Sequence, residues 1–419
     1  MNKPPRLAAP WLTLAPTRRV MAALEEAGGR AWFVGGCVRD SLLAGDAVDP
    51  GLDIDIATDL VPDRVMALAG AAGLKAVPTG IEHGTVTLIV NGRPFEVTTL
   101  RRDLETDGRR ALVAFGTSLE EDAARRDFTI NALYAQADGL VVDPLGGLAD
   151  LARRRVRFVG DPDRRIVEDY LRVLRFFRFH ARFGGSSPDP EGFQACVRHR
   201  DRLGSLSAER VARELLKLLV APNALASLRA MRDGGILAAL DLRGAVPEGL
   251  EALLRAWPAS DALVRLAALF RQEEPAPGQG IALAGRLRLS TAERDRLEAM
   301  LGLPLPALEE DPAERARGWY RGGSATPWRD RFLLAAALHG LTPDQVQPLV
   351  DGAAAWVRPR FPLSGADVLA LGAPPGRAVG VLLRQVEAWW LARDMLPDRQ
   401  ACLDELRSRY RVDELLQPP

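Results

Sequence analysis

The sequence predicts an α+β protein, with an N-terminal mixed-sheet head followed by a long all-α extension. Three observations predict this. Strand and hairpin signals alternate with helix signals over residues 1 to about 150. Strand signals fade after Asp150. Apolar residues then recur at helical spacing almost to the C-terminus. A length of 419 residues allows two to four domains.

The head reads in order. "TRRVMAALEEAG" (17–28) is an amphipathic helix ending in glycine. "AWFVGG" (31–36) is a short apolar strand entering a turn, and "VRDSLLAG" (38–45) is a helix. "LDIDIAT" (52–58) alternates as a strand does, and "VPDRVMALAGAAG" (61–73) is a helix with proline in its first turn. "GTVTLIVNGRPFEVTTL" (84–100) is a hairpin turning at Asn91-Gly92, and "LYAQADGLVVDP" (133–144) is a second one turning at Asp138-Gly139. Beyond the head, "VEDYLRVLRFFRFHARFGG" (167–185) is a helix, as is "SAERVARELLKLLV" (207–220), with Ser207 as its cap. Linkers are expected at 271–280, 302–315 and 361–380, each marked by glycine and proline or by proline and acids.

Composition excludes several classes. Hydrophobic residues make up 47% and charged residues 26%, which suits packed water-facing domains. No run of 18 apolar residues occurs, so no membrane span is expected. The N-terminal "MNKPPRLAAPWLTL" lacks the features of a signal peptide. The three cysteines, Cys37, Cys196 and Cys402, form neither a disulfide framework nor a zinc pattern, which favours a cytoplasmic setting. The four histidines have no paired spacing, which argues against a His-based metal centre. Net charge is zero, but residues 153–182 hold ten arginines against four acids. That block is either a phosphate-binding surface or the ordinary solvated face of a protein with only three lysines.

Chemistry concentrates in four stretches. Asp53 and Asp55 sit at i and i+2 of an expected strand, so both face one way while Ile54 and Ile56 face the core. Two such carboxylates repel unless a hard cation such as Mg²⁺ lies between them; otherwise they are two solvated acids at a strand edge. Gly35 and Gly36 end a strand and open a helix, which lets backbone N–H groups approach a phosphate; a plain tight turn is the alternative. Arg39, in the first helical turn, adds a charged fork. In "EEDAARRDFTINALYA" (120–135), Arg125 and Arg126 are placed to reach a polyphosphate, and Asp127 reads either as a fixed polar group or as a helix cap. In "EDYLRVLRFFRF", Asp169 and Arg172 stand at i and i+3 of one helix, with Arg175 and Arg178 continuing the spacing. They form an intrahelical ion pair with a basic face, or else present an acceptor and donors to the edge of a base.

"VGGCVRDSLL", "LDIDIAT", "RRDFTINALYA", "DPLGGLADLARRRVRFVGDP" and "EDYLRVLRFFRFHARFG", in this order over residues 30 to about 220, resemble the bacterial (class II) CCA-adding tRNA nucleotidyltransferases. They resemble the related bacterial poly(A) polymerases as well. Both belong to the polymerase-β nucleotidyltransferase superfamily. The resemblance implies that an RNA 3′-hydroxyl attacks the α-phosphate of CTP or ATP and pyrophosphate leaves. It implies Mg²⁺ on Asp53 and Asp55, with Glu96 on "FEVTTL" as the third carboxylate. Gly35, Gly36, Arg39, Arg126 and Asn131 would hold the nucleotide, and Asp169, Arg172, Arg175 and Arg178 the base-selecting helix. Residues 1–150 would be the catalytic head, 151–220 a nucleotide-selecting neck, 221–345 a helical body and 346–419 a tRNA-binding tail. Residues 98–122 match a mobile loop that switches C to A addition. The stretch "GDAVDPG" (45–51) is longer than in the family. Poly(A) synthesis is the second expectation. A non-catalytic RNA-binding protein is disfavoured because both aspartates are present, and a small-molecule transferase by the arginine block. The sequence names no protein partner.

Overall fold

The computed structural model describes the chain apart from residues 1–4, 27, 45–50, 107–110, 117, 307, 309–310, 323–325 and 417–419, and describes 103–106, 111–113, 322, 326–327 and 412–416 by their backbone alone. Most of "GDAVDPG" therefore lies outside the described residues. The chain packs as two units, Met1–Pro247 and Glu248–Pro419.

The first unit carries the sheet. Its elements run α1 (Ala15–Glu25), β1 (Ala31–Val34), α2 (Gly36–Ala44), β2 (Ile54–Thr58), α3 (Pro62–Ala71), β3 (Lys75–Gly80), β4 (Thr85–Val90), β5 (Arg93–Thr99), β6 (Arg101–Thr106), β7 (Ala111–Phe115), α4 (Leu119–Ala124), β8 (Tyr134–Ala135) and β9 (Val141–Val142). Seven strands form one sheet in the order β3-β4-β5-β2-β1-β8-β9, and β6 pairs with β7 separately. Every pair in the large sheet is antiparallel except β2 with β5. That parallel pair sets Asp55 opposite Glu96. Its register follows from burial: Ile54 and Ile56 are within 1% of fully buried, as are Phe95 and Val97 on β5. Turning the two isoleucines outward would cost roughly 3–6 kcal/mol, so the aspartates face away from the core.

The hairpin at Asn91-Gly92 forms, with both residues at positive φ (52° and 78°). So does the hairpin through Asp138-Gly139, where the Asp138 carboxylate accepts from Leu140 N at 2.9 Å. Strand β3 was not expected. It is an exposed edge strand containing Pro78, and its pairing slips between Val77 and Gly80, so no alternation marks it. The described part of 98–122 contains the β6–β7 hairpin leading into α4.

Helices α5 (Gly147–Ala152), α6 (Pro162–Glu168), α7 (Leu171–Phe183), α8 (Pro190–His199), α9 (Ala208–Leu219), α10 (Ala224–Asp233) and α11 (Ile236–Ala239) complete the first unit. The single helix expected over 167–185 is two. Asp169 breaks it with extended backbone (φ −154°, ψ 107°) between α6 and α7. Two residues, Asp169 and Tyr170, separate the helices, and of these only Asp169 leaves the helical region of φ and ψ, so the break carries no local sequence signal. Ser207 stands at the start of α9 with extended φ/ψ but makes no side-chain cap bond. An aromatic cluster fixes α7 to the head: the Phe128 ring lies 4.9 Å from Phe158 and 5.1 Å from Phe179, and Phe158 stacks on Phe176 at 5.4 Å.

Helix is the only regular secondary structure among the described residues of the second unit. It contains α12 (Pro247–Ala256, whose first residue closes the first unit), α13 (Ala262–Phe270), α14 (Gln279–Arg286), α15 (Thr291–Leu301), α16 (Pro312–Gly322), α17 (Thr326–Leu338), α18 (Pro343–Ala355), α19 (Gly365–Leu369), α20 (Arg377–Leu391) and α21 (Arg399–Leu416). Arg296 of α15 ties it to the start of α13 through Asp261 and to α17 through the buried Asp330, both at 2.6 Å. Trp390, Val386, Cys402 and Leu406 pack together as the core of its last helices. No described helix in either unit is long and apolar enough to cross a membrane.

Candidate active site

The carboxylates come first. Asp53 immediately precedes β2 and is exposed; Asp55 is the second residue of the strand and is half-buried. Arg93 donates to the Leu52 carbonyl at 2.9 Å and so fixes the chain entering the pair. Burial, then the neighbouring Glu96, push the Asp55 carboxyl up from 3.8 to about 6, with Asp53 adding to the rise and Arg126 opposing it. Three acids thus crowd one place, and Arg126 offsets only part of their repulsion. Among the described residues, no three His, Cys, Asp or Glu side chains converge tightly enough to enclose a metal ion by themselves. The donor set therefore fits a hard divalent cation held by the aspartates and completed by oxygens of a bound phosphate, rather than an all-protein cage.

The elements expected to face a phosphate adjoin it. Because β1 pairs Phe33 with Ile56 of β2, the end of β1 lies beside the start of β2. Gly35 turns the chain there with φ +72°, and a Cβ on it would lie 3.5 Å from Arg126 Nη1. The Gly35 N–H is already used: it donates to the Leu133 carbonyl at 3.0 Å. Free amides begin at Gly36, the first residue of α2, where no intrahelical acceptor exists. Arg39 lies over the Phe183 ring at 4.0 Å, donates to Asp40 at 2.8 Å and bonds the Asn131 side-chain oxygen. Buried and anchored at three points, its guanidinium has a fixed direction.

Arg126 is held as firmly. Asp122 accepts from Arg126 at 3.0 Å, from Arg125 at 2.6 Å and from Tyr134 Oη at 2.7 Å. Burial raises the Asp122 carboxyl, but the two guanidiniums outweigh it and leave the net shift downward. Asn131 sits in a short 3₁₀ turn, Thr129–Asn131. Its Nδ2 donates to Asp127 Oδ1 at 2.9 Å, and Asp127 Oδ2 accepts from Arg175 Nε of α7 at 2.8 Å. Asp127 is therefore the joint between the head and α7, not simply a helix cap.

The residues expected to read the base have other partners than expected. Asp169 and Arg172 are not an intrahelical pair. Asp169, in the break, accepts from Leu171 N at 3.0 Å and from Arg210 of α9 at 2.7 Å. Arg172 bonds Glu168 at 2.5 Å and the Arg165 carbonyl at 2.7 Å. Arg175 turns to Asp127, and Arg178 to Glu214 of α9 at 2.5 Å. The structure thus joins Arg39, Arg126, Asn131 and, through Asp127, Arg175 in one polar network beside Gly35; Asp55 meets it through Arg126, and Asp53 and Glu96 act on Asp55. Asp169 and Arg172 have separate partners of their own. Sequence reasoning missed Asp122, Arg210, Glu214 and the role of Glu168. Asp122 had a visible signal, its i+3 and i+4 spacing to Arg125 and Arg126. Arg210 had none, because its partner lies 41 residues away.

Comparison with known proteins places the chain in a family. Residues 31–157 match the family described as the poly A polymerase head domain, and residues 187–241 the probable RNA and SrmB-binding site of polymerase A. The CCA tRNA nucleotidyltransferase 1, mitochondrial, of Danio rerio is 35% identical over 372 residues, covering 85% of this chain and 82% of that protein. The CCA-adding enzyme of Limosilactobacillus fermentum is 33% identical over 396 residues, covering 90% and 94%. This chain belongs to the CCA-adding tRNA nucleotidyltransferase family. The family fold extends along the chain: the crystal structure of the Bacillus stearothermophilus CCA-adding enzyme in complex with CTP matches 96% of this chain and 99% of its own, with TM-score 0.76 at 29% identity.

Proposed function

We propose that this chain adds CCA to the 3′ end of tRNA from CTP and ATP, without a template, releasing pyrophosphate at each step. The observation that carries it is the joining of the Asp53/Asp55/Glu96 cluster to the anchored Arg39 and Arg126 within a member of this family. Mg²⁺ is the cation we assign to Asp53 and Asp55; when bound it would sharpen the attacking hydroxyl and neutralise the leaving phosphates. The rest falls to the side chains. Gly36 lets the chain approach the triphosphate, Arg39 and Arg126 supply fixed positive charge, and Asn131 holds Arg39 in place. Glu96 is the third acid, placed to receive the proton of the 3′-hydroxyl or to support the cation.

Base choice is assigned to Asp169 and Arg172. ATP and CTP share an exocyclic amino group beside an unprotonated ring nitrogen. Asp169 accepts from the first and Arg172 donates to the second. GTP and UTP present a carbonyl and a ring N–H, which face the wrong partners. Each good bidentate contact contributes about 1–3 kcal/mol of discrimination. Arg175 and Arg178 back this pair by fixing α7 to the head and to α9. Residues 151–220 would be the nucleotide-selecting neck, 221–345 the body and 346–419 the tRNA-holding tail. The reaction is assigned to the cytoplasm, a setting supported by three free, buried cysteines.

A second reading, poly(A) synthesis, is favoured by the head-domain family matched over residues 31–157. One experiment separates the two. The protein is incubated with tRNA lacking CCA, with CTP and ATP singly and together, and the new 3′ ends are sequenced. CCA followed by arrest is the expected result. Long A tails would establish the second reading, and no extension would sink both.

A further inference from the structure

Helix α9 carries a polar face that the proposed reaction does not use. Arg210 and Glu214, one helical turn apart, both reach back to the segment that reads the base. Glu214 is buried and bonds Arg178 of α7. Arg210 bonds Asp169 in the break before α7. Asp169 has no helix of its own to orient it, since its backbone is extended. Its carboxylate is set by two donors on different sides: the Leu171 amide on Oδ1 at 3.0 Å and Arg210 on Oδ2 at 2.7 Å. Each carboxylate oxygen has capacity for two hydrogen bonds, so both keep one acceptor position open.

We propose that Arg210 is a specificity-positioning residue: it holds the Asp169 carboxylate in the one orientation that accepts from the amino group of CTP or ATP, and so governs nucleotide choice without touching the nucleotide. The proposal rests on the assignment of base reading to Asp169. A carboxylate freed from Arg210 keeps only the Leu171 tether and rotates about its side-chain bonds. It then meets the incoming base at varied angles, and the penalty against a misplaced carbonyl falls. The triphosphate grip on Arg39 and Arg126 has its own anchors, Asn131, Asp40 and Asp122, so phosphate binding is untouched.

The test uses the full chain and tRNA lacking CCA. Wild type, Arg210→Ala and Asp169→Ala are compared for kcat/KM with CTP and with UTP, and for inhibition by pyrophosphate. Arg210→Ala should lower the CTP-to-UTP preference about tenfold, within the range for loss of one oriented base contact, while pyrophosphate inhibition stays at the wild-type level. Equal loss with CTP and UTP would mean that Arg210 only holds helices together, and would overturn the proposal. If Arg210→Ala does not fold, Arg210→Met, which keeps most of the stem, is read in the same way. Should Asp169→Ala retain the full preference, base reading by Asp169 fails and the role of Arg210 with it. Loss of preference in Asp169→Ala but not in the Arg210 variants overturns the Arg210 role alone.

Discussion

Asp55 is the residue on which site and stability meet. Its carboxyl is raised from 3.8 to about 6 by burial and by Glu96. A raised acid binds its proton more tightly in the folded state, so without a cation its stability cost is absent below about pH 4, grows from about pH 4 to 6 and is complete above about 6. Asp55→Asn should therefore melt higher than the parent at alkaline pH in chelator, with the difference closing as pH falls to about 4. Added divalent cation should raise the parent's melting temperature and leave the variant's unchanged. Equal cation response in both would remove Asp55 from the site. Asp53→Ala and Asp55→Ala should each lower transfer by roughly a hundred- to a thousandfold, since removal of one electrostatic group at a reacting centre costs about 10²–10³. Arg172→Ala should admit UTP and GTP while leaving pyrophosphate inhibition intact, which competition assays would read. The aspartates, Gly36, Arg39 and Arg126 were legible because strand alternation and a glycine turn are local signals. The partners of Asp169 and Arg178 were not, since tertiary packing alone brings α9 to them.

Elements explain why those residues hold their places. Helix α5 lies against the 3₁₀ turn that carries Asn131, and Gly147 permits the approach: a Cβ there would sit 2.3 Å from the Thr129 carbonyl oxygen. Gly147→Ala should push the helix and turn apart, lower the melting temperature by several degrees and raise KM for CTP through Asn131 and Arg39. An unchanged KM would show that the turn is anchored without α5. Thr129 Oγ1 donates to the buried Asp150 at 2.6 Å and shares that burden. Most elements of the head were readable in order. The exceptions have physical causes: β3 is an exposed edge with proline, and the break at Asp169 carries no local sequence signal. The expected helix over 167–185 failed for that second reason.

The whole molecule divides the work. Every residue assigned to nucleotide chemistry lies in Met1–Pro247, and none in the helical unit Glu248–Pro419. Hydrogen exchange should show CTP with Mg²⁺ protecting amides of the first unit only, and tRNA protecting both. Protection confined to the first unit with tRNA would refute the assigned role of the tail. Binding of tRNA should weaken steeply with salt, because Arg153 and Arg154 stand exposed in the arginine block. Replacing either with alanine should reduce the slope of log affinity against log salt by about one for each phosphate that the variant no longer neutralises. The split between a mixed head and a helical remainder was legible in the sequence, since it depends on periodicity. The division at Pro247 was not, because both sides of that point read alike as amphipathic helix.

The pairing of β2 with β5 has a consequence for how this gene product tolerates deletion. Ile54 and Ile56 lock the pleat so that the aspartates point outward. Length changes between Ala44 and Leu52 leave that phase alone and should be survivable. Loss of one residue between Asp53 and Ile56 inverts the strand, sending an acid into the core and an isoleucine into the site. A single-residue deletion scan from 45 to 58, scored for expression and CCA addition separately, should show an abrupt boundary at Asp53.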